Sequence, residues 1–351
     1  DYKVELLSGK IKGANRKKIN QKLENGSINI IIGTHALFQE NVKFHALGLI
    51  IIDEQHRFGV SQRLALLKKG LQAQLDTSQL PNQLIMTATP IPRTLAMSAY
   101  ADLDFSVIDE LPPGRKPINT SIISGNRREQ VIRKIKDIIL KGNQAYWVCT
   151  LIEDSDNLEA QAAEVISAEL KLALPELSIG LIHGRLKAKE KIDIINKFKK
   201  KEVNLLVATT VIEVGIDAPN ATVMIIENAE RLGLSQLHQL RGRVGRGDVE
   251  SFCILMYDKL STIGQKRMQI MRETNDGFKI AEADLELRGA GEILGTRQTG
   301  DIFFKIAELP RDASLLTQAK KDANNIIDND PGYGKELVRN WLSKAEDFSL
   351  A

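Results

Sequence analysis

Cysteine is almost absent: Cys149 and Cys253 are the only two in 351 residues. Two thiols this far apart supply neither a disulfide framework nor a metal-ligand spacing, and both read as reduced, buried side chains. Long apolar runs are missing too. None approaches the ~20 residues that a membrane-spanning helix needs, and the opening Asp1-Tyr2-Lys3-Val4-Glu5 has neither the basic start nor the apolar centre of a secretory signal. These absences predict a cytoplasmic protein with no membrane partner. Charge of one sign is scarce, since 48 Lys and Arg against 45 Asp and Glu leave +3, a balance that points to no polyanion by itself. An initiator Met is also lacking. The strand-like stretch from Asp1 to Leu7 has no lead-in, so the chain reads as a piece of something longer.

What is present is 43% hydrophobic and 26% charged residues, an ordinary globular composition for two or three domains at this length. Asn29 to Gly33, Leu47 to Ile52 and Leu84 to Thr89 are short, largely apolar runs, read as parallel strands covered on both faces. Helical stretches at Arg16 to Glu24 and Val60 to Gly70 alternate with them, which predicts βαβ units and an α/β fold. Three prolines and a glycine between Glu110 and Pro117 can continue neither helix nor strand, and mark a domain boundary. A second series follows, with strands at Ala145 to Leu151, Leu177 to Ile182, Asn204 to Thr209 and Thr222 to Glu227. Its helices are predicted at Arg127 to Leu140, Asn157 to Leu172 and Lys187 to Lys200. From Lys259 the pattern is helical with a glycine-rich middle. The expected partition is therefore 1–117, 118–258 and 259–351.

Open parallel sheets bind ligands at the carboxyl ends of their strands, so chemistry is expected at Asp53, Thr87, His183 and Thr209. Asp53-Glu54 directly follows an apolar strand. A carboxylate there can hold Mg²⁺ while a second activates water against a γ-phosphate; a lone Asp-Glu pair can equally be a helix N-cap. Thr87-Ala88-Thr89-Pro90 places two small hydroxyls at another strand end, where they can bond a neighbouring carboxylate or simply form a turn. The strongest signal is Gln239-Leu240-Arg241-Gly242-Arg243-Val244-Gly245-Arg246. Three arginines interleaved with glycines present planar forks that match phosphate oxygens.

Together, Asp53 to His56, Thr87 to Thr89, Thr209 to Asp217 and Gln239 to Arg246 resemble motifs II, III, V and VI of superfamily 2 helicases and translocases, in that order. More narrowly, Asp53-Glu54-Gln55-His56-Arg57-Phe58-Gly59-Val60, Thr87 to Met97, Leu111-Pro112-Pro113-Gly114-Arg115 and Asp284 to Gly300 are similar to the RecG family of bacterial branch-migration DNA helicases, essentially from end to end. The resemblance implies an α/β fold of two RecA-like domains, the first truncated at its N-terminus, plus an α-rich C-terminal translocation region. It implies an ATP-dependent enzyme using ATP and Mg²⁺ and acting on branched DNA, forks and Holliday junctions, as a monomer in the bacterial cytoplasm. Asp53 would hold Mg²⁺ and Glu54 would activate water. Gln239, Arg243 and Arg246 would reach the γ-phosphate, with Thr87, Thr89, Gly215 and Asp217 coupling nucleotide to movement. Thr34, His35, Thr209 and Thr210 would approach the DNA backbone. Arg267, Arg288 and Gln298 match the polar positions of the family's translocation motif; without the resemblance, Arg267 reads as an exposed helix charge and Arg288 as a helix cap.

Two departures stand out. Thr150 occupies a position where the family usually has proline. A Gly-x-x-x-x-Gly-Lys-Ser/Thr loop, whose backbone N–H groups cradle phosphates, is not present; Ser8-Gly9-Lys10-Ile11 lacks the first glycine and the hydroxyl. The family places that loop, and its DNA-splitting wedge, upstream of Leu6. The expectation is a first sheet with an open edge and uncovered apolar surface, and a chain inactive alone as an ATPase. Two rivals remain: a transcription-repair coupling translocase, and a non-enzymatic DNA- or partner-binding module.

Overall fold

A computed structural model describes residues 2–54, 66, 68–70, 81–87, 104, 106–108, 110, 112, 114–150, 156–210, 218–288, 312 and 315–341. The chain divides into two compact units, Asp1–Thr89 with Ala319–Ala351, and Pro90–Gln318. In the first unit β1 (Val4–Leu7) pairs in parallel with β2 (Ile30–Gly33), and β3 (Leu49–Ile52) pairs in parallel with β4 (Asn82–Ile85). Helix α1 (Gly13–Glu24) connects the first pair. Leu7, Ile19, Leu23, Ala36 and Val42 form one small core, and Ile50, Ile52 and Leu66 another. The glycine ending β2 is obligatory, because a Cβ at Gly33 would lie 2.5 Å from the Leu7 carbonyl oxygen.

Coverage on both strand faces, expected from the apolar runs, does not hold here. Burial alternates along β1 and β3, and the outward residues are also apolar: Ile32 is 58% exposed, Ile51 57% and Leu6 56%. An all-apolar strand records no preference between its faces, so the run alone cannot say which face is covered. Apolar side chains are therefore exposed on the strand faces of both two-stranded sheets.

The second unit is built on a six-stranded, all-parallel sheet. Its strands are β5 (Ile118–Ser124), β6 (Gln144–Val148), β7 (Ile179–Ile182), β8 (Leu205–Ala208), β9 (Ala221–Ile226) and β10 (Ser251–Tyr257), ordered β5-β10-β9-β6-β8-β7. Every residue of β6, β8 and β9 is buried, and successive side chains alternate between two cores. Tyr146, Leu206, Met224 and Ile226 point to one; Trp147, Leu205, Val207 and Ile225 point to the other. Helices α2 (Arg128–Leu140), α3 (Asp156–Ala173), α4 (Ala188–Lys199) and α5 (Leu234–Arg241) agree with the expected helices where those were drawn. The sequence reading missed β5 and β10. Their signal was present in Ile118 to Ile123 and in Phe252 to Tyr257, but it lay beside the proline-rich and arginine-rich segments that drew the functional reading. Thr150, in its unusual position, donates its hydroxyl to the Glu227 carbonyl at 2.6 Å, tying the ends of β6 and β9 together.

Past Lys259 the described residues are helical, as expected: α6 (Thr262–Glu273), α7 (Gly277–Arg288), α8 (Leu316–Asn329) and α9 (Pro331–Trp341). No described helix is long and apolar enough to cross a membrane.

Candidate functional site

In the first unit the parallel register brings the predicted carboxylates and hydroxyl to one sheet end. Ile52 pairs with Ile85, and Met86 N donates to Ile52 O at 2.8 Å. Two positions further along each strand stand Glu54 and Thr87. Asp53 Oδ1 accepts the Glu54 N–H at 2.9 Å. Glu54 has φ of 53°, a left-handed conformation that costs a non-glycine residue energy and concentrates at functional sites. Asp53 and Thr87 are exposed and Glu54 is half-buried, so the acceptor-only oxygens of Asp53 are open to a hard cation. At the end of β2, Thr34 and His35 are likewise exposed, with the His35 ring 6.0 Å from Phe38.

In the second unit Gly233 precedes α5, whose apolar face, Leu234, Leu237 and Leu240, is fully buried. The following loop carries Arg243, half-buried, and Arg246, exposed, with Gln239 half-buried on the last turn of the helix. Gly245 between them has φ of +73°, and a Cβ there would stand 3.0 Å from Ile118 Cγ1. Glycine is thus what lets the loop bend back and project Arg246 outward.

Arg241 does not join the other two arginines. Reading three phosphate-facing forks from the sequence is corrected by its burial: it is 2% exposed and its Nη1 donates to the Met271 and Thr274 carbonyls at 2.7 and 2.9 Å. A residue on the last turn of α5 points back along the helix toward its neighbours rather than onward with the loop. Sequence reasoning also passed over Arg115, used only as part of a family string. Its Nη2 lies 3.4 Å from Gly242 O, and its proton affinity is lowered first by burial and then by the nearby positive charge of Arg246. The signal available was its place after Gly114, whose φ of +82° turns the linker back.

Burial and the charges of Arg241 and Arg115 push His238 down to about 4, against a smaller opposing pull from Asp276. It is therefore neutral near pH 7, and its Nδ1 accepts from Arg241 Nη2 at 3.0 Å. Both thiols are raised by burial, Cys253 to about 12, which leaves them protonated and unreactive.

The remaining predicted residues fall into three groups. Thr209 is fully buried just past the end of β8, and Thr210 beside it is half-buried. Arg267 is half-buried, and rather than standing free on its helix it donates to Leu232 O at 3.0 Å. Thr89, Gly215, Asp217, Gln298 and the side chain of Arg288 lie outside the described residues. His183, also at a strand end, is 6% exposed, with Nε2 3.6 Å from Glu164 Oε1.

Three family models match along the chain: the DEAD/DEAH box helicase over residues 2–98, the helicase conserved C-terminal domain over 129–248, and domain 3, C-terminal, of the ATP-dependent DNA helicase RecG over 274–341. ATP-dependent DNA helicase RecG of Escherichia coli K12 is 57% identical over 350 residues, covering 99% of this chain and 50% of that protein. The Haemophilus influenzae protein of the same name is 55% identical over the same shares. A solved structure of RecG bound to a three-way DNA junction aligns at a TM-score of 0.65 and 43% identity, over 90% of this chain and 40% of that one. Both α/β units are thus RecA-like. The chain belongs to the RecG family of superfamily 2 helicases, and spans about half the length of the curated relatives it matches.

Proposed function

We propose that the chain is the motor segment of an ATP-driven translocase on branched DNA, one that reverses stalled forks and migrates junctions as a monomer. The observation that carries this reading is the 43% identity, over 90% of the chain, to a RecG bound to a three-way DNA junction. The three-part division at 117 and 258 and the roles below belong to the same proposal.

Asp53 supplies an open carboxylate for Mg²⁺, and Glu54 orients water and takes its proton. Asp53 would hold the Mg²⁺, which when bound would supply positive charge against the phosphates. Gln239 stands on the last turn of α5, and Arg243 and Arg246 on the loop after it, whose bend sends Arg246 outward as a charge-stabilising finger requires. Thr87 at the level of Glu54 suits a coupling role, and Thr34 and His35 are exposed where a DNA backbone can meet them. The residues present fit the cation, the water and the arginine side of an ATP site; a glycine-rich phosphate cradle is not among the 351.

An arginine finger contributes about 10³–10⁵ in turnover. Arg246→Ala or Arg243→Ala in the intact protein should therefore remove DNA-stimulated ATP hydrolysis by that order while junction binding stays within a few-fold. Loss of binding with normal turnover per bound enzyme would make these residues DNA contacts and end the assignment.

A further inference from the structure

Ile118 pairs with Ser251 at the start of two neighbouring parallel strands, β5 and β10. The segments that lead into those strands therefore run side by side: one is the linker around Arg115, the other the loop that carries Arg243 and Arg246. Contacts along both segments agree. A Cβ on Gly114, which turns at φ +82°, would lie 2.6 Å from Asp248 Oδ1, and one on Gly245 would meet Ile118. Between them Arg115 Nη2 donates to Gly242 O at 3.4 Å. Sheet register, rather than a free linker, sets where Arg115 stands.

The electrostatics of that place point to an anion. Arg115 is half-buried, and among the described residues the Gly242 carbonyl, at the far end of hydrogen-bonding range, is its only acceptor. A guanidinium has five N–H donors in a rigid fork. None of the ion pairs among the described residues includes it, Asp248 beside Gly114 notwithstanding. Its charged neighbour is Arg246, which together with burial lowers its proton affinity, and the nearby His238 is neutral near pH 7. Like charges held partly out of water repel, and a planar fork with unused donors matches phosphate oxygens. A residue placed only to tie the loop to the linker needs one donor and no charge; glutamine would do.

We propose that Arg115 is a further catalytic residue, a third guanidinium supplied from the linker, which contacts the phosphates of the nucleoside triphosphate together with Arg243 and Arg246. It takes the place that the sequence gave to Arg241. Its use in hydrolysis rests on the function proposed above; the anion site itself does not.

Titration of the 351-residue chain with inorganic tripolyphosphate tests the site. Arg115→Gln should weaken binding about tenfold, the order of one charge-assisted hydrogen bond. Arg115→Lys should recover part of that loss, because the charge is kept and the fork is not. Arg133→Gln, at an exposed position on α2, should leave affinity unchanged. Without the anion, Arg115→Gln should melt no lower than the parent chain, since it relieves a repulsion. No binding to the parent, equal weakening by Arg133→Gln, or full affinity in Arg115→Gln each overturns the site, the last by making Arg115 a structural tie. If the Gln variant melts lower or fails to fold, Arg115→Lys decides: partial loss supports the site and full affinity overturns it. In the intact protein, Arg115→Gln should lower kcat for DNA-stimulated ATP hydrolysis about tenfold or more, with junction binding within about twofold. An unchanged kcat overturns the catalytic role. If Arg246→Ala leaves hydrolysis untouched, the functional reading fails and the tripolyphosphate titration still judges the anion site.

Discussion

His238 and Gly245 carry consequences that their own surroundings settle. His238 titrates at about 4 in the fold, lowered by burial and by Arg241 and Arg115, against about 6.5 in an unfolded chain. Between those values the unfolded state binds the extra proton, so stability is complete above about pH 6.5 and declines as pH falls toward 4. At about 1.4 kcal/mol per unit the loss reaches about 3 kcal/mol. Thermal melting of His238→Gln should show a correspondingly shallower pH dependence over that window; an unchanged slope would mean other groups govern it. Gly245 is held at φ +73° against Ile118. Gly245→Ala should cost about 1–2 kcal/mol through backbone strain and crowding, seen as a lowered denaturation midpoint. Neither consequence is legible from the sequence. The arginine string identified the loop, but the direction of Arg241 and the approach of Arg115 depend on side chains from other elements.

At the scale of elements, the strands of the two units differ in a way their composition conceals. β6, β8 and β9 are covered on both sides, whereas β1 to β4 leave Val4, Leu6, Ile30, Ile32, Leu49, Ile51, Leu84 and Met86 exposed. Exposed apolar side chains of this kind bind hydrophobic probes and promote association. The double variant Ile32→Thr with Ile51→Thr should lower hydrophobic-dye binding and light scattering of the isolated chain. Because those side chains already face water, its melting midpoint should shift by no more than about 0.5 kcal/mol equivalent. A large destabilisation would show that the faces are packed in solution. Most helices and the central strands were legible from periodicity, since burial imposes a local repeat. Strands β5 and β10, neighbours in the sheet, were not, because they flank segments whose composition speaks more strongly of turns and phosphate binding.

At the scale of the molecule, the residues proposed for the ATP site are distributed over two units and no glycine-rich phosphate cradle stands among the 351 residues, while positioned catalysis needs a held substrate. The 351-residue chain should therefore hydrolyse ATP at background even with branched DNA; DNA-stimulated turnover abolished by Glu54→Gln would reveal a phosphate cradle elsewhere in it. Residual DNA binding should weaken steeply with salt as phosphate contacts release counterions, and a flat salt response would argue against backbone contacts. By itself, the sequence determined the α/β alternation, the order of the motifs and the strand ends at which the candidate residues stand, since periodicity and side-chain chemistry are written over short stretches. The tertiary structure alone decided the strand order β5-β10-β9-β6-β8-β7, the bare faces of β1 to β4, and which arginine turns inward. Those outcomes depend on contacts such as Thr120 with Arg241, 121 positions apart, and no local pattern can encode a partner that only folding brings near.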